Sequence, residues 1–369
     1  MTVLRRTFLH AAAATLAGCA LHPAAFAQAD ARRRFQPAQG RWRTFEVTTR
    51  VELASPDGAA QLWLPIPSID SDWQQSLESS FTSSGTARIA HDTRYGAKML
   101  AVSFRAGEPQ PFAEITSRVR TRDRAVDWSR TAPRRDDPAT LAQWTQPTDL
   151  LPTDGIVHST ALAAVGSAKG DVERARRIYD WVVANTYREP TVRGCGEGDI
   201  KTMLETGSLG GKCVDINSVF VGLCRSLGIP ARDLYGLRLA PSAFGYRELG
   251  GNPANLKGSQ HCRAEVYLQA HGWVAVDPAD VAKVMRMETP TWIRDPRDPL
   301  VAPVNDALFG GWEGNWLAWN SAHDLSLPQA KGPKVGFLMY PVAEDNGGRF
   351  ESYAPDDFKY RITAREITA

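Results

Sequence analysis

"GGKCVDINSVFVGLCRSLGIPAR", residues 210–232, sets two glycines and a lysine before a cysteine and a periodic apolar run after it. At about 100° per residue, Ile216, Phe220, Leu223 and Leu227 cluster on one side, which predicts a helix ended by Gly228 and Pro230. The helix carries Cys213 and Cys224, eleven residues or almost three turns apart, so both lie on one face. Cys224 falls mid-helix among Phe220, Leu223 and Leu227 and reads as a small, inert hydrophobe. Cys213 falls in the first turn, where unpaired backbone N–H groups and the positive end of the helix dipole favour a thiolate. Lys212 adds a cation, and Gly210–Gly211 leave room for a substrate backbone to approach. Whether the chain is an enzyme turns on this one thiol.

A thiol nucleophile needs a base, and the base needs an acceptor that orients it. "HCRAEVYLQAHGWVAVDPAD", residues 261–280, offers both on two alternating segments. A three-residue loop, Gln269–His271, with Gly272 left-handed after it, gives an even sum for facing residue numbers. Asp277 then stands opposite Arg263, with His261 diagonally adjacent and within side-chain reach. Asp280 competes for the same role but follows Pro278, which breaks the ladder, so Asp277 is the expected orienting acid and Asp280 a bystander. The expected thiol titrates well below the free value of about 8.5.

Upstream, Phe45, Val47, Thr49, Val51 and Leu53 alternate, as do Leu62, Leu64 and Ile66, and "KMLAVSF" and "FAEITSRVRT" continue the pattern. Residues 37–135 therefore read as an antiparallel β domain, without a titratable cluster and with a packing or binding role. "DWSRTAPRRDDPA" is a linker. Helices follow over "VERARRIYDWVVAN", capped by Asp171, and "DIKTMLETG", stopped by Gly207. Residues 150–330 form the expected core and residues 331–369 further strands.

"LRRTFLHAAAATLAG" pairs Arg5 and Arg6 ahead of a short apolar run, the layout of an export signal of twin-arginine type. The run is shorter than the ~20 residues of a membrane span. Two processing sites compete, a small-x-small cut after Ala27 and a lipobox-like "LAGC" ending at Cys19; the first is favoured, giving a signal over residues 1–27 and work outside the cytoplasm. Without Arg5 and Arg6 the 43 basic residues fall to 41, matching the 41 acidic ones, and no basic stripe suggests a nucleic acid partner. Once Cys19 is removed, four cysteines remain, too few for a disulfide scaffold of this size.

Taken together, the Cys213 stretch and residues 261–280 resemble the transglutaminase-like superfamily over about residues 150–285, with "ARRIYDWVVANTYRE" similar to that family's preceding helix. The resemblance implies an α+β fold with a papain-like core, its cysteine helix packed on an antiparallel sheet. It implies a triad of Cys213 as nucleophile, His261 as base and acid, and Asp277 as orienter, and no cofactor or metal. The expected substrate is a peptide or protein amide, attacked through a thioester and passed to water or to an amine, with water slightly favoured. A non-catalytic binding protein on the same fold is the alternative, although it would be expected to have lost a triad member.

Two positions depart from the family pattern. Arg263 stands where an aromatic is common; it either pairs with Glu265 or meets an anionic substrate. Cys262, beside the histidine, is either packed or linked to Cys195. A zinc site of Cys195, Cys213, His261 and Cys262 lacks the tight spacings such sites show. Trp312, Trp316 and Trp319 read as core rather than a groove, and His323–Asp324 as strand neighbours on opposite faces.

Overall fold

The computed structural model describes residues 33–131 and 136–368. The segment expected to be an export signal, with Arg5, Arg6 and Cys19, lies outside the described residues.

The amino-terminal strands are β1 (Arg43–Glu52), β2 (Ala60–Ile66), β3 (Gln74–Ser83), β4 (Thr86–His91), β5 (Lys98–Phe104) and β6 (Phe112–Thr121), then a two-residue β7 (Arg124–Ala125). The alternation in β1 is realised, with Phe45, Val47, Thr49 and Val51 buried and their neighbours partly exposed. Then come α1 (Pro138–Gln143), α2 (Gly155–Val165), α3 (Asp171–Asn185), the short β8 (Tyr187–Arg188), α4 (Ile200–Thr206) and β9 (Gly210–Gly211). Asp171 is the first residue of α3 and Gly170 its cap; the aspartate instead accepts a bond from the Gln269 N–H at 2.5 Å. Gly207 ends α4 in a left-handed conformation, as its position predicts.

The core continues with α5 (Cys213–Ser226), β10 (Ala231–Arg238), β11 (Gln260–Leu268), β12 (Gly272–Val276), α6 (Pro278–Met287) and α7 (Ala302–Ala307). Last come β13 (Gly311–Trp312), β14 (Trp316–Asn320), β15 (Val342–Asp345), β16 (Gly348–Arg349) and β17 (Tyr360–Thr368). An antiparallel sheet in the order β12-β11-β10-β14 carries α5 on β10 and β11. Fully buried Ile216, Val219, Phe220 and Leu223 bind the helix to the rest of the core. Each such side chain contributes about 1.5–3 kcal/mol relative to exposure.

The carboxy-terminal strands complete the amino-terminal sheets. β17 pairs with β1 and β15 with β2, giving sheets ordered β17-β1-β6-β3 and β16-β15-β2-β5-β4. Trp312, Trp316 and Trp319 are core residues, each at most 3% exposed.

Gly236 stands opposite His261 across β10–β11. A Cβ there would come within 2.0 Å of the Leu317 carbonyl and 2.4 Å of the Trp316 ring. Gly236→Ala is therefore expected to cost about 1–3 kcal/mol by overpacking. Urea denaturation of the variant checks this; an unchanged midpoint would show that the sheet yields at that position.

Candidate active site

Cys213 is the first residue of α5 and Asp215, one position short of the end of its first turn, folds back over the helix start. Its carboxylate accepts from the backbone N–H groups of Lys212, Glu197 and Gly198, each at 2.9 Å. The charge sits where the helix dipole favours it, and it fastens the 196–198 loop to the helix start. Gly211 is needed for this, because a Cβ there would meet Asp215 Cβ at 2.5 Å; one on Gly210 would meet the Tyr187 ring at 2.6 Å. The room left by the two glycines is thus filled by the protein's own side chains and not by a substrate backbone.

The hairpin forms as the residue parity requires. Tyr267 pairs with Trp273 and Leu268 with Gly272, whose φ is 74°, so residues 269–271 are the loop. The same register, carried past Val276, sets Asp277 opposite Arg263. His261 Nε2 then lies 2.7 Å from Asp277 Oδ2, and the same imidazole favours the Cys213 thiolate. The three residues singled out in the sequence converge, at 3%, 3% and 0% exposure. Asn217, one turn into α5, locks the arrangement: its Nδ2 donates to the Cys262 carbonyl at 2.7 Å and to Asp277 Oδ1 at 3.2 Å.

Several alternatives left open in the sequence are decided here, and the reading of Cys224 holds. No Cys195–Cys262 disulfide forms; both thiols are free. Cys262 is packed, with its sulfur 3.5 Å from Asp233 Oδ1. Arg263 does not pair with Glu265. Its Nε lies 3.4 Å from Asp277 Oδ2, its Nη1 donates to the Glu313 carbonyl at 3.0 Å, and its guanidinium stacks on Trp312 and Trp316. Glu265 is taken by Arg232 and by Arg124, which enters from the β7 segment. His323 is a buried partner of Tyr235, held well below its usual basicity by burial. Cys224 is fully buried, and burial pushes its thiol up.

Cys195 has a different neighbour from the one expected. Its thiol interacts electrostatically with that of Cys213, accepts from the Tyr340 hydroxyl at 3.0 Å, and donates to the Gln260 carbonyl at 3.3 Å. The Val214 N–H donates to the Cys195 carbonyl at 3.0 Å, which fixes this loop over the helix start. Burial and then Cys195 push the Cys213 thiol up, opposed by His261; Cys195 is lowered, chiefly by its interaction with Cys213. The two thiols compete for one negative charge, which works against the low-titrating Cys213 expected from its helix position. Cys195→Ala should therefore lower the pH midpoint of Cys213 alkylation by iodoacetamide. A higher midpoint would mean that Cys195 supports the thiolate as a hydrogen-bond donor.

Asp280, set aside in the sequence, is also at the site: its Oδ1 is 3.4 Å from His261 Nε2 and is ion-paired with Arg238. Pro278 does end the ladder, but Asp277 caps the helix that follows, accepting the Asp280 N–H on Oδ1 at 3.1 Å. That first turn swings Asp280 back towards the histidine. The Asp-Pro-x-Asp pattern, an N-cap followed by proline at the first helical position, is the sequence signal for this turn.

His261, Asp277 and Asp280 bring donor atoms within 4.8 Å of one another, as a metal site would. Arg238 and Arg263 stand at the two carboxylates, and Asp277 is bonded directly to the ring, so the donors are spent and a cation would face two guanidinium groups. The four-ligand zinc set does not converge, since the Cys262 sulfur is turned to Asp233. Among the described residues, no helix is long and apolar enough to cross a membrane.

A helix-borne cysteine against an antiparallel sheet defines an α+β fold of transglutaminase-like and cysteine-protease-like type. Residues 159–278 match the family model described as the transglutaminase-like superfamily. A Haemophilus influenzae protein described as uncharacterized is 34% identical over 343 residues, covering 88% of this chain and 91% of its own. A candidate cysteine protease from Cytophaga hutchinsonii superposes with a TM-score of 0.50 at 15% identity, covering 89% of this chain and 100% of its own. The periplasmic domain of TgpA from Pseudomonas aeruginosa gives a TM-score of 0.34 at 17% identity, covering 67% and 91%. The chain belongs to the transglutaminase-like superfamily.

Proposed function

We propose that the protein is an exported thiol enzyme that cleaves or exchanges peptide amide bonds through a thioester on Cys213. The observation that carries this reading is the burial of Cys213, at the start of its helix, beside an imidazole whose Nε2 lies 2.7 Å from Asp277 Oδ2. With Nε2 engaged by the aspartate, Nδ1 is the nitrogen left for the thiol. His261 is an unusually strong base: burial and Arg238 lower it, but Asp280 and Asp277 carry it to about 9.

In this reading the Cys213 proton passes to His261, and the thiolate attacks the amide carbon. The N–H of Cys213, at the first helical position, is the donor placed for the developing oxyanion. His261 then returns the proton to the leaving amine, and a thioester remains. Water or a second amine, deprotonated by His261, releases the acyl group. Asp277 holds the imidazole in the orientation both steps need. Export rests on Arg5–Arg6 and the apolar run that follows them.

A glutamine-containing peptide offered with and without a fluorescent primary amine tests the reaction. Acyl-enzyme at Cys213, trapped and located by mass, is the expected result. Labelled peptide identifies exchange, and free acid or cleaved peptide identifies hydrolysis. If amide turnover is found and persists in Cys213→Ala, the reading fails.

A further inference from the structure

Two carboxylates converge on one nitrogen of His261, and they are held differently. Asp277 is tied down on both oxygens: Oδ2 receives His261, and Oδ1 receives Asn217 Nδ2 and the Asp280 N–H. Asp280 Oδ1, 3.4 Å from His261 Nε2, is shared with the guanidinium of Arg238, which also donates to the Leu249 carbonyl at 2.8 Å. Asp280 and Arg238 are 1% and 2% exposed. A buried ion pair is a weak source of stability, because desolvation offsets the attraction. It is effective, however, at fixing a negative charge beside a group that must become positive.

We propose that Asp280, kept ionised by Arg238, is a second positioning residue, which supplies the charge that stabilises the His261 imidazolium, while Asp277 sets the direction of the ring. The proposal rests on the thiol chemistry above. Burial, and next Asp280, push Asp277 up, whereas Arg238 and then His261 hold Asp280 well below its usual range despite burial. Of the two, Asp280 is the more firmly ionised, because Arg238 is paired with it directly.

The charged groups around His261 come from several neighbouring elements, while β14 contributes only the neutral Trp316 indole, bonded to the His261 carbonyl. Cys213 faces it from α5 and Arg238 from β10, while Arg263 follows on its own strand. Asp277 and Asp280 flank the start of α6, and Lys283, bound to the Glu248 carbonyl and carboxylate, lies one turn further on. With both aspartates ionised and both arginines charged, these four cancel. A proton passing from Cys213 to His261 then leaves the buried cluster neutral.

The test uses the full chain carrying Cys213→Ala, so that His261 titrates without the thiol, and follows its imidazole by NMR of isotope-labelled histidine, assigned with His261→Ala. Asp280→Asn leaves Arg238 buried without its partner, so Asp280→Asn/Arg238→Gln is made alongside it, with Arg238→Gln alone as its reference. The His261 midpoint is expected to fall from about 9 by about one to three pH units in Asp280→Asn relative to Cys213→Ala alone, and in the double variant relative to Arg238→Gln alone, the range an opposite charge at this distance produces. Losing negative charge lets the proton leave at lower pH, which gives the sign. In the wild-type thiol background, Asp280→Asn should also slow Cys213 alkylation by iodoacetamide at neutral pH. A folded double variant whose midpoint equals that of Arg238→Gln alone would reduce Asp280 to a structural partner of Arg238 and overturn the proposal. Failure of the functional reading looks different: wild-type Cys213 would react no faster than Cys224, whatever the histidine midpoint.

Discussion

Replacing Cys213 with alanine should abolish acyl transfer and leave the fold standing. The residue contributes one sulfur atom to the edge of the core, at the first position of α5, and the helix start is held by Asp215, not by the thiol. Losing that sulfur removes about one methylene's worth of packing, about 1 kcal/mol. It also removes the only atom that can form the proposed thioester. Cys224→Ala makes the opposite case. Cys224 is fully enclosed in the hydrophobic cluster, so its loss leaves a cavity costing about 1 kcal/mol or more while turnover persists. Turnover and urea midpoint measured on both variants decide between the two thiols. Activity lost in Cys224→Ala and kept in Cys213→Ala would move the nucleophile eleven residues down the helix.

The parts of the site legible in the sequence are those set by local rules. Helical periodicity placed Cys213 at a helix start, and loop length with Gly272 fixed the register that brings Asp277 to His261. Contacts between distant segments follow no such rule. Glu265 meets Arg124 across 141 residues, and this leaves Arg263 for the active site rather than for its strand neighbour. Cys195 reaches Cys213 because its carbonyl is caught by the Val214 N–H, a bond that depends on how the 196–198 loop folds over the helix. Asp280 was misread for a different reason. The break in the ladder at Pro278 was read as carrying it away from the site, whereas the helical turn that starts there swings its side chain back towards His261.

Asp277→Asn should lower kcat by about four orders of magnitude, the size of effect seen when the orienting acid of a triad is neutralised. The hydrogen bonds around Asp277 say why so small a change is so damaging. Two donors, Asn217 Nδ2 at 3.2 Å and the Asp280 N–H at 3.1 Å, point at Oδ1. An asparagine must therefore place its oxygen there and its amino group where Oδ2 was, facing His261 Nε2. The ring can satisfy that group only by presenting a lone pair at Nε2, which puts its proton on Nδ1, towards Cys213. A histidine in that tautomer cannot take the thiol's proton. The variant also deprives Arg263 of the carboxylate 3.4 Å from its Nε, so stability should fall by about 3–5 kcal/mol, the cost of unpairing a buried charge. Asp277→Ala supplies the control: it removes the acceptor without adding a donor, leaving the ring free to choose its tautomer. Asp277→Asn is accordingly expected to be no faster than Asp277→Ala, despite being the smaller change. Both are to be measured at saturating substrate, with folding followed by circular dichroism. Wild-type kcat in a folded Asp277→Asn would remove Asp277 from the mechanism and leave Asp280 as the carboxylate that serves His261.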